Sequence, residues 1–137
     1  MSAQHAGVTG SPNPGQAAPG GGLKGWDPER YMNLSHPGDN YSYDIFTQAG
    51  HALRSLGELA GARLMAAGQS LAAYRLATYI NAVDPIASTY DCYLLHSRPN
   101  GAAPLELPTV LKPRAATALN PIPLRPDLRV PNWLVPP

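Results

Sequence analysis

The sequence predicts an α/β architecture in which two to three parallel strands with flanking helices lie between long Gly/Pro-rich loops at both ends. Three observations predict it. An apolar run, Leu64-Met65-Ala66-Ala67, passes through a turn, Gly68-Gln69-Ser70-Leu71-Ala72, into an Ala- and Leu-rich helical stretch, Ala73-Tyr74-Arg75-Leu76-Ala77-Thr78-Tyr79-Ile80. A second apolar run follows at Tyr90–His96. The 16 prolines crowd the ends: five fall in the first forty residues, one is Pro85, and ten lie from Pro99 onward. Because proline lacks a backbone donor and is excluded from helix interiors and central strands, regular structure is expected mainly between about Asp44 and His96. The chain thus divides into a Gly/Pro-rich segment over 1–40, a core over 41–98 and a Pro-rich segment over 99–137 that ends in a short strand.

In chain order, Ser11-Pro-Asn-Pro-Gly and Pro19-Gly-Gly-Gly read as turn and linker chemistry. The glycine run is no phosphate loop, since no apolar strand precedes it and no lysine followed by Ser or Thr closes it. Trp26-Asp-Pro-Glu-Arg-Tyr suits a short helical turn, with Asp27 as cap and Pro28 in the first position. From Tyr43 to about Leu59 the spacing is helical: Ile45, Ala49, Leu53 and Leu56 share one face, Asp44 favours the helix dipole, and Gln48, His51 and Arg54 point outward.

Residues 62–67 are expected to form a strand buried on both faces. The helix after Ser70 should turn Ala72, Ala73, Leu76, Ala77 and Ile80 inward and end near Val83, because Pro85 disfavours helical geometry at Asp84. Tyr90–His96 completes a strand–helix–strand unit, whose handedness makes the two strands parallel neighbours. Pro99 to Arg129 reads as loop, and Val130–Val135 as the start of one more buried strand.

Composition narrows the possible partners. Ten basic and nine acidic residues give a net charge of +1 without a basic stripe, so no nucleic-acid partner is expected. Cys92 is the single cysteine, read as a buried thiol rather than half of a disulfide. No run reaches the roughly 18 apolar residues of a membrane span, and Met1-Ser-Ala-Gln-His lacks the start of a signal peptide, so no membrane is expected. The chain as written reads as cytoplasmic, provided Met1 is the natural start. Neither a cofactor nor a metal ion is expected.

The candidate chemistry centres on Ser70. Gly68 and Ala72 stand two residues before and two after it, the small-x-Ser-x-small spacing that lets a strand bend sharply into a helix with a serine at the apex. Ser70 also stands where a helix N-cap belongs, and serine is a preferred cap. Spacing alone admits both readings.

With these pieces placed, the chain resembles a family of α/β-hydrolase domain proteins related to esterases and lipases. The resemblance rests on collinear stretches: Trp26-Asp-Pro-Glu-Arg-Tyr, Leu34-Ser-His-Pro-Gly-Asp, Tyr43-Asp-Ile-Phe-Thr-Gln-Ala-Gly, Ala67-Gly-Gln-Ser, Arg75-Leu-Ala-Thr-Tyr-Ile-Asn-Ala-Val and Tyr90-Asp-Cys-Tyr-Leu-Leu-His-Ser-Arg. It implies a partial α/β-hydrolase fold, with 62–67 as the family's fifth strand, 90–96 as its sixth, 130–135 as the start of its seventh and Ser2-Ala-Gln as the tail of its fourth. It also implies Ser70 as nucleophile, the Leu71 backbone N–H as an oxyanion donor and His96 as a pocket residue rather than the catalytic base. Where the family often has Glu before the nucleophile and a small hydroxyl residue two after it, this chain has Gln69 and Ala72.

In such enzymes the acid and the histidine follow the nucleophile late in the chain. Here only His96, Asp84, Asp91 and Asp127 are the later histidine and aspartates. The resemblance therefore implies a fragment of a serine ester hydrolase, taking a small-molecule ester once completed and inactive alone. The alternative is a non-catalytic truncated remnant or interaction module. An exposed strand edge would then favour self-association or a complementary polypeptide. A thinner reading makes the Pro-rich end a ligand for an aromatic groove, although Pro121-Ile-Pro and Pro136-Pro137 match that pattern poorly.

Overall fold

A computed structural model describes residues 22–37, 39–105 and 122–136. Ser2-Ala-Gln, most of the glycine run and the greater part of the Pro-rich loop lie outside the described residues. The chain divides into two units, Met1–Ile45 and Phe46–Pro137. In the first, helical turns α1 (Leu23–Trp26) and α2 (Pro28–Tyr31) follow one another. The Asp27 carboxylate caps α2 by accepting from the Arg30 N–H at 3.1 Å, with Pro28 at the first position, where its missing N–H costs nothing.

The second unit holds the sheet. Strand β1 (Met65–Gln69) pairs in parallel with β2 (Cys92–His96), and β2 with β3 (Asn132–Val135), in the order β1-β2-β3. Helix α3 (Ser42–Ser55) leads into the unit, α4 (Leu71–Thr78) joins β1 to β2, and a π-helical turn, Tyr79–Val83, runs on into α5 (Asp84–Ala87). Ala66, Tyr93 and Leu95 are buried on one sheet face, and from α4 and the π-turn Ala73, Leu76, Ala77, Tyr79 and Ile80 join them in the core. The opposite face is open: Met65 is 53% exposed, and Ala67 and Gln69 are exposed with it.

Several expectations are corrected here. The strand lies at 65–69 rather than 62–67, because its ladder with β2 runs on to Gln69 opposite His96; Gly68 and Gln69 therefore belong to the strand. It is buried on one face only, the face on which α4 packs. β3, expected to be buried, is exposed along its length. Cys92 is half-buried.

The helix after Ser70 does not stop at Val83. The wide turn takes up the strain ahead of Pro85, which then sits in the first turn of α5, where a proline needs no donor. Of the residues expected to face inward from α4, Ala72 is exposed. Leu53 in α3 and Leu56 just beyond it are 41% and 53% exposed, and the α3 residues that engage the aromatic cluster and its neighbours are Phe46, Thr47, Gly50 and Arg54.

The reason is aromatic. Phe46 stacks on Tyr90 with ring centres 4.8 Å apart and meets Tyr79 edge-on at 5.1 Å, while Tyr79, Tyr90 and Tyr93 contact one another. A side chain at Gly50 would collide with the Thr89 methyl group, so the helix approaches at its glycine. Arg54, expected to point outward, reaches back and donates to the Thr89 carbonyl and, at 2.7 Å, to Asp91. Burial, with Tyr79 beside it, pushes the Tyr90 phenol up to about 12. Burial first, then Asp84, raises the Tyr93 phenol further.

Candidate functional site

Ser70 joins the last residue of β1 to the first of α4, and both sides of its backbone are fixed. Its N–H donates to the His96 carbonyl at 3.0 Å, extending the strand ladder by one rung, and its own carbonyl accepts from Tyr74 at 3.0 Å, opening the helix. To do both within one residue the backbone adopts φ 53° and ψ −118°, a region that favours glycine and costs other residues on the order of 1–3 kcal/mol. The hydroxyl makes no capping bond to the helix, and the residue is exposed. The cap reading of Ser70 is thereby removed.

Gly68 makes the bend feasible. A Cβ there would lie 2.9 Å from the Ala72 carbonyl carbon and from the Ala73 nitrogen, so only glycine lets α4 fold back this closely on β1. Leu71, the first residue of α4, has an N–H with no acceptor inside the helix and stands at the positive end of the helix dipole.

His96 ends β2 opposite Gln69. The structure therefore brings its main chain to Ser70. It does not join the side chains: the half-buried His96 ring lies 3.4 Å from the Ser97 hydroxyl, and no hydrogen bond to Ser70 Oγ is present among the described residues.

The three later aspartates are engaged elsewhere. Asp84 is buried and accepts from the Tyr93 hydroxyl at 2.6 Å and from Arg129 at 3.1 Å, while Arg129 also donates to the Tyr90 carbonyl at 2.7 Å. Asp91 closes the opposite end of the β1–β2 ladder. It accepts from the Leu64 N–H at 2.8 Å, returns its own N–H to the Leu64 carbonyl at 2.8 Å and pairs with Arg54. That Leu64 bond first, and Arg54 after it, hold its carboxyl below the usual carboxylate range. Asp127 pairs with Arg125 at 2.6 Å on the surface.

The C-terminal edge of a parallel sheet is where such folds bind ligands. Ser70, His96 and the end of β3 all lie there, as does a cavity of about 380 Å³ lined by Arg98, Asn100, Leu134, Val135 and Pro136. Arg98 is the residue that sequence reasoning passed over. The available signal was an arginine two residues beyond the end of a strand predicted to lie beside Ser70.

Among the described residues no group of three His, Cys, Asp or Glu side chains is placed to hold a metal ion, and no helix is long and apolar enough to cross a membrane. Compared with known proteins, the chain matches no curated protein and no solved structure. Residues 1–135 do match a family model described as an alpha/beta hydrolase domain. The parallel sheet, the strand–turn–helix around Ser70 and this match together mean that the chain belongs to the alpha/beta hydrolase domain family.

Proposed function

We propose that this chain carries the nucleophile of a serine hydrolase acting on carboxylic esters, with Ser70 as the nucleophile and the Leu71 N–H as one oxyanion donor. The observation that carries the reading is the uncapped Ser70 hydroxyl on a strained turn at the C-terminal edge of the sheet. Strain at a non-glycine residue persists only where the surroundings over-determine it, and it clusters at functional sites. In the reaction Ser70 Oγ attacks the ester carbonyl while a base takes its proton. The carbonyl oxygen becomes an oxyanion beside the Leu71 N–H, and the alcohol leaves with the proton returned by the base.

The base and its orienting acid are expected from a further polypeptide, because in such enzymes both follow the nucleophile late in the chain. Asp84, Asp91 and Asp127 are committed to Arg129, Arg54 and Arg125, and the His96 ring neighbours Ser97. Without an imidazole a serine hydroxyl is a weak nucleophile, and losing triad members costs several orders of magnitude in rate. The 137-residue chain alone therefore turns over p-nitrophenyl acetate no faster than its Ser70→Ala variant.

A fluorophosphonate, applied to the chain together with the polypeptide that supplies the acid and histidine, modifies Ser70 and leaves Ser70→Ala unlabelled. Mass spectrometry reads the adduct. An unmodified Ser70 under those conditions favours the non-catalytic alternative, and Ser70-dependent turnover by the chain alone overturns the need for a complement.

A further inference from the structure

We propose that Arg98 is the anion-recognition residue of the cavity at the strand ends, and that the esters taken by this site carry a second, free carboxylate. The inference rests on Ser70 as nucleophile for the word ester, and on Arg98 and the cavity alone for the carboxylate.

The geometry begins at the sheet edge. Ser70 continues β1 by bonding to the His96 carbonyl, and Ser97 continues β2 by donating to the Val135 carbonyl at 2.8 Å. Adjacent strands lie about 4.8 Å apart, so the end of β3 is on the order of 10 Å from Ser70, the span of a small ester. Ser97 takes a left-handed conformation, φ 49°, which turns the chain off the strand. Arg98 follows and lines the cavity with Asn100 and the apolar Leu134, Val135 and Pro136.

The guanidinium is half used. Nη1 donates to the Gly101 carbonyl at 2.8 Å and to the Ile122 carbonyl at 2.9 Å, which fixes the half-buried side chain. Both acceptors are neutral, and among the described residues no carboxylate pairs with Arg98, whereas Arg54, Arg125 and Arg129 each have one. Among the described residues Nε and Nη2 have no hydrogen-bond partner, and together they form the side-on fork that grips a carboxylate with two parallel hydrogen bonds. A permanent positive charge, held by neutral partners beside an apolar-walled cavity, selects a small organic acid. For an ester spanning the distance to Ser70, that acid is the free end of a half-ester.

Binding tests this without catalysis. Phenylacetate and its uncharged counterpart phenylacetamide are titrated into the 15N-labelled chain and followed by NMR. The expected result is saturable phenylacetate shifts at Arg98, Asn100, Leu134 and Val135, with the amide binding at least about tenfold more weakly. Arg98→Gln removes that preference, and Arg98→Lys, which keeps the charge without the fork, retains part of it.

Equal binding of acid and amide to the unaltered chain, shifts that map elsewhere, or no saturable binding overturns the proposal. The comparison on unaltered protein stands even if a variant loosens the Gly101 and Ile122 contacts. Fluorophosphonate labelling reads the nucleophile separately. A carboxylate preference with Ser70 unlabelled sinks only the hydrolase reading, and a labelled Ser70 without the preference sinks only the role of Arg98.

Discussion

At position 70 two backbone demands meet, and they set a measurable balance. The strand ladder requires the Ser70 N–H to reach His96, and the helix requires the carbonyl to accept from Tyr74. Glycine meets both demands without the strain of φ 53°, a gain of about 1–3 kcal/mol, against which its greater freedom in the unfolded chain costs about 0.5–1 kcal/mol. Ser70→Gly is therefore more stable than the unaltered chain by about 1 kcal/mol, whereas Ser70→Ala keeps the strain and stays within about 0.5 kcal/mol of it. Urea unfolding of the three proteins checks this. If the glycine variant is the least stable, no strain is stored at the turn.

At the scale of elements, the two ends of the β1–β2 ladder have different chemistry. The C-terminal end opens on the strained turn, and the N-terminal end is locked by Asp91 through Leu64 and Arg54. Because the folded carboxyl titrates below its unfolded value, the lock contributes in full above an unfolded value of about 3.9 and fades as pH falls through the lower folded value. Asp91→Asn lowers stability at pH 7, and the gap to the unaltered chain narrows as pH falls below about 3.9 toward the lower folded value. Unfolding curves at pH 7 and pH 3 measure it, and a gap of the same size at both assigns the loss to shape rather than charge.

The order of these elements was legible, because proline placement and apolar runs report local geometry. The facing of α3 was not. An aliphatic repeat at Ile45, Ala49, Leu53 and Leu56 fits a generic core, yet the opposing surface is built of Tyr79, Tyr90 and Tyr93, and a ring at Phe46 and a gap at Gly50 answer it. Ser70 stood out through its small neighbours. Whether its hydroxyl capped the helix depended on a backbone angle that spacing does not encode. Arg98 left almost no trace, since one charge after one strand acquires meaning only when its carbonyl partners, distant in sequence, come together around it.

For the molecule as a whole, the sheet is the feature with the largest consequence. Among the described residues no strand pairs with the outer edge of β1, and the face bearing Met65 and Ala67 carries no helix. Parallel sheets are ordinarily covered on both faces, and an open apolar edge presents a row of backbone donors and acceptors to any other chain. A second copy offers such a row, so the purified chain is expected to associate with itself in a concentration-dependent way. Lysine at an edge strand opposes pairing by placing a solvated charge where a second strand would dock. Ala67 is exposed and leaves the Ala66–Tyr93 packing intact when changed, which makes Ala67→Lys the informative variant. Sedimentation velocity from micromolar to several hundred micromolar is expected to show growing assemblies for the unaltered chain and a larger monomer fraction for Ala67→Lys. Monomer throughout in both proteins means that the edge is covered within the chain, and equal assembly in both moves the contact to another surface.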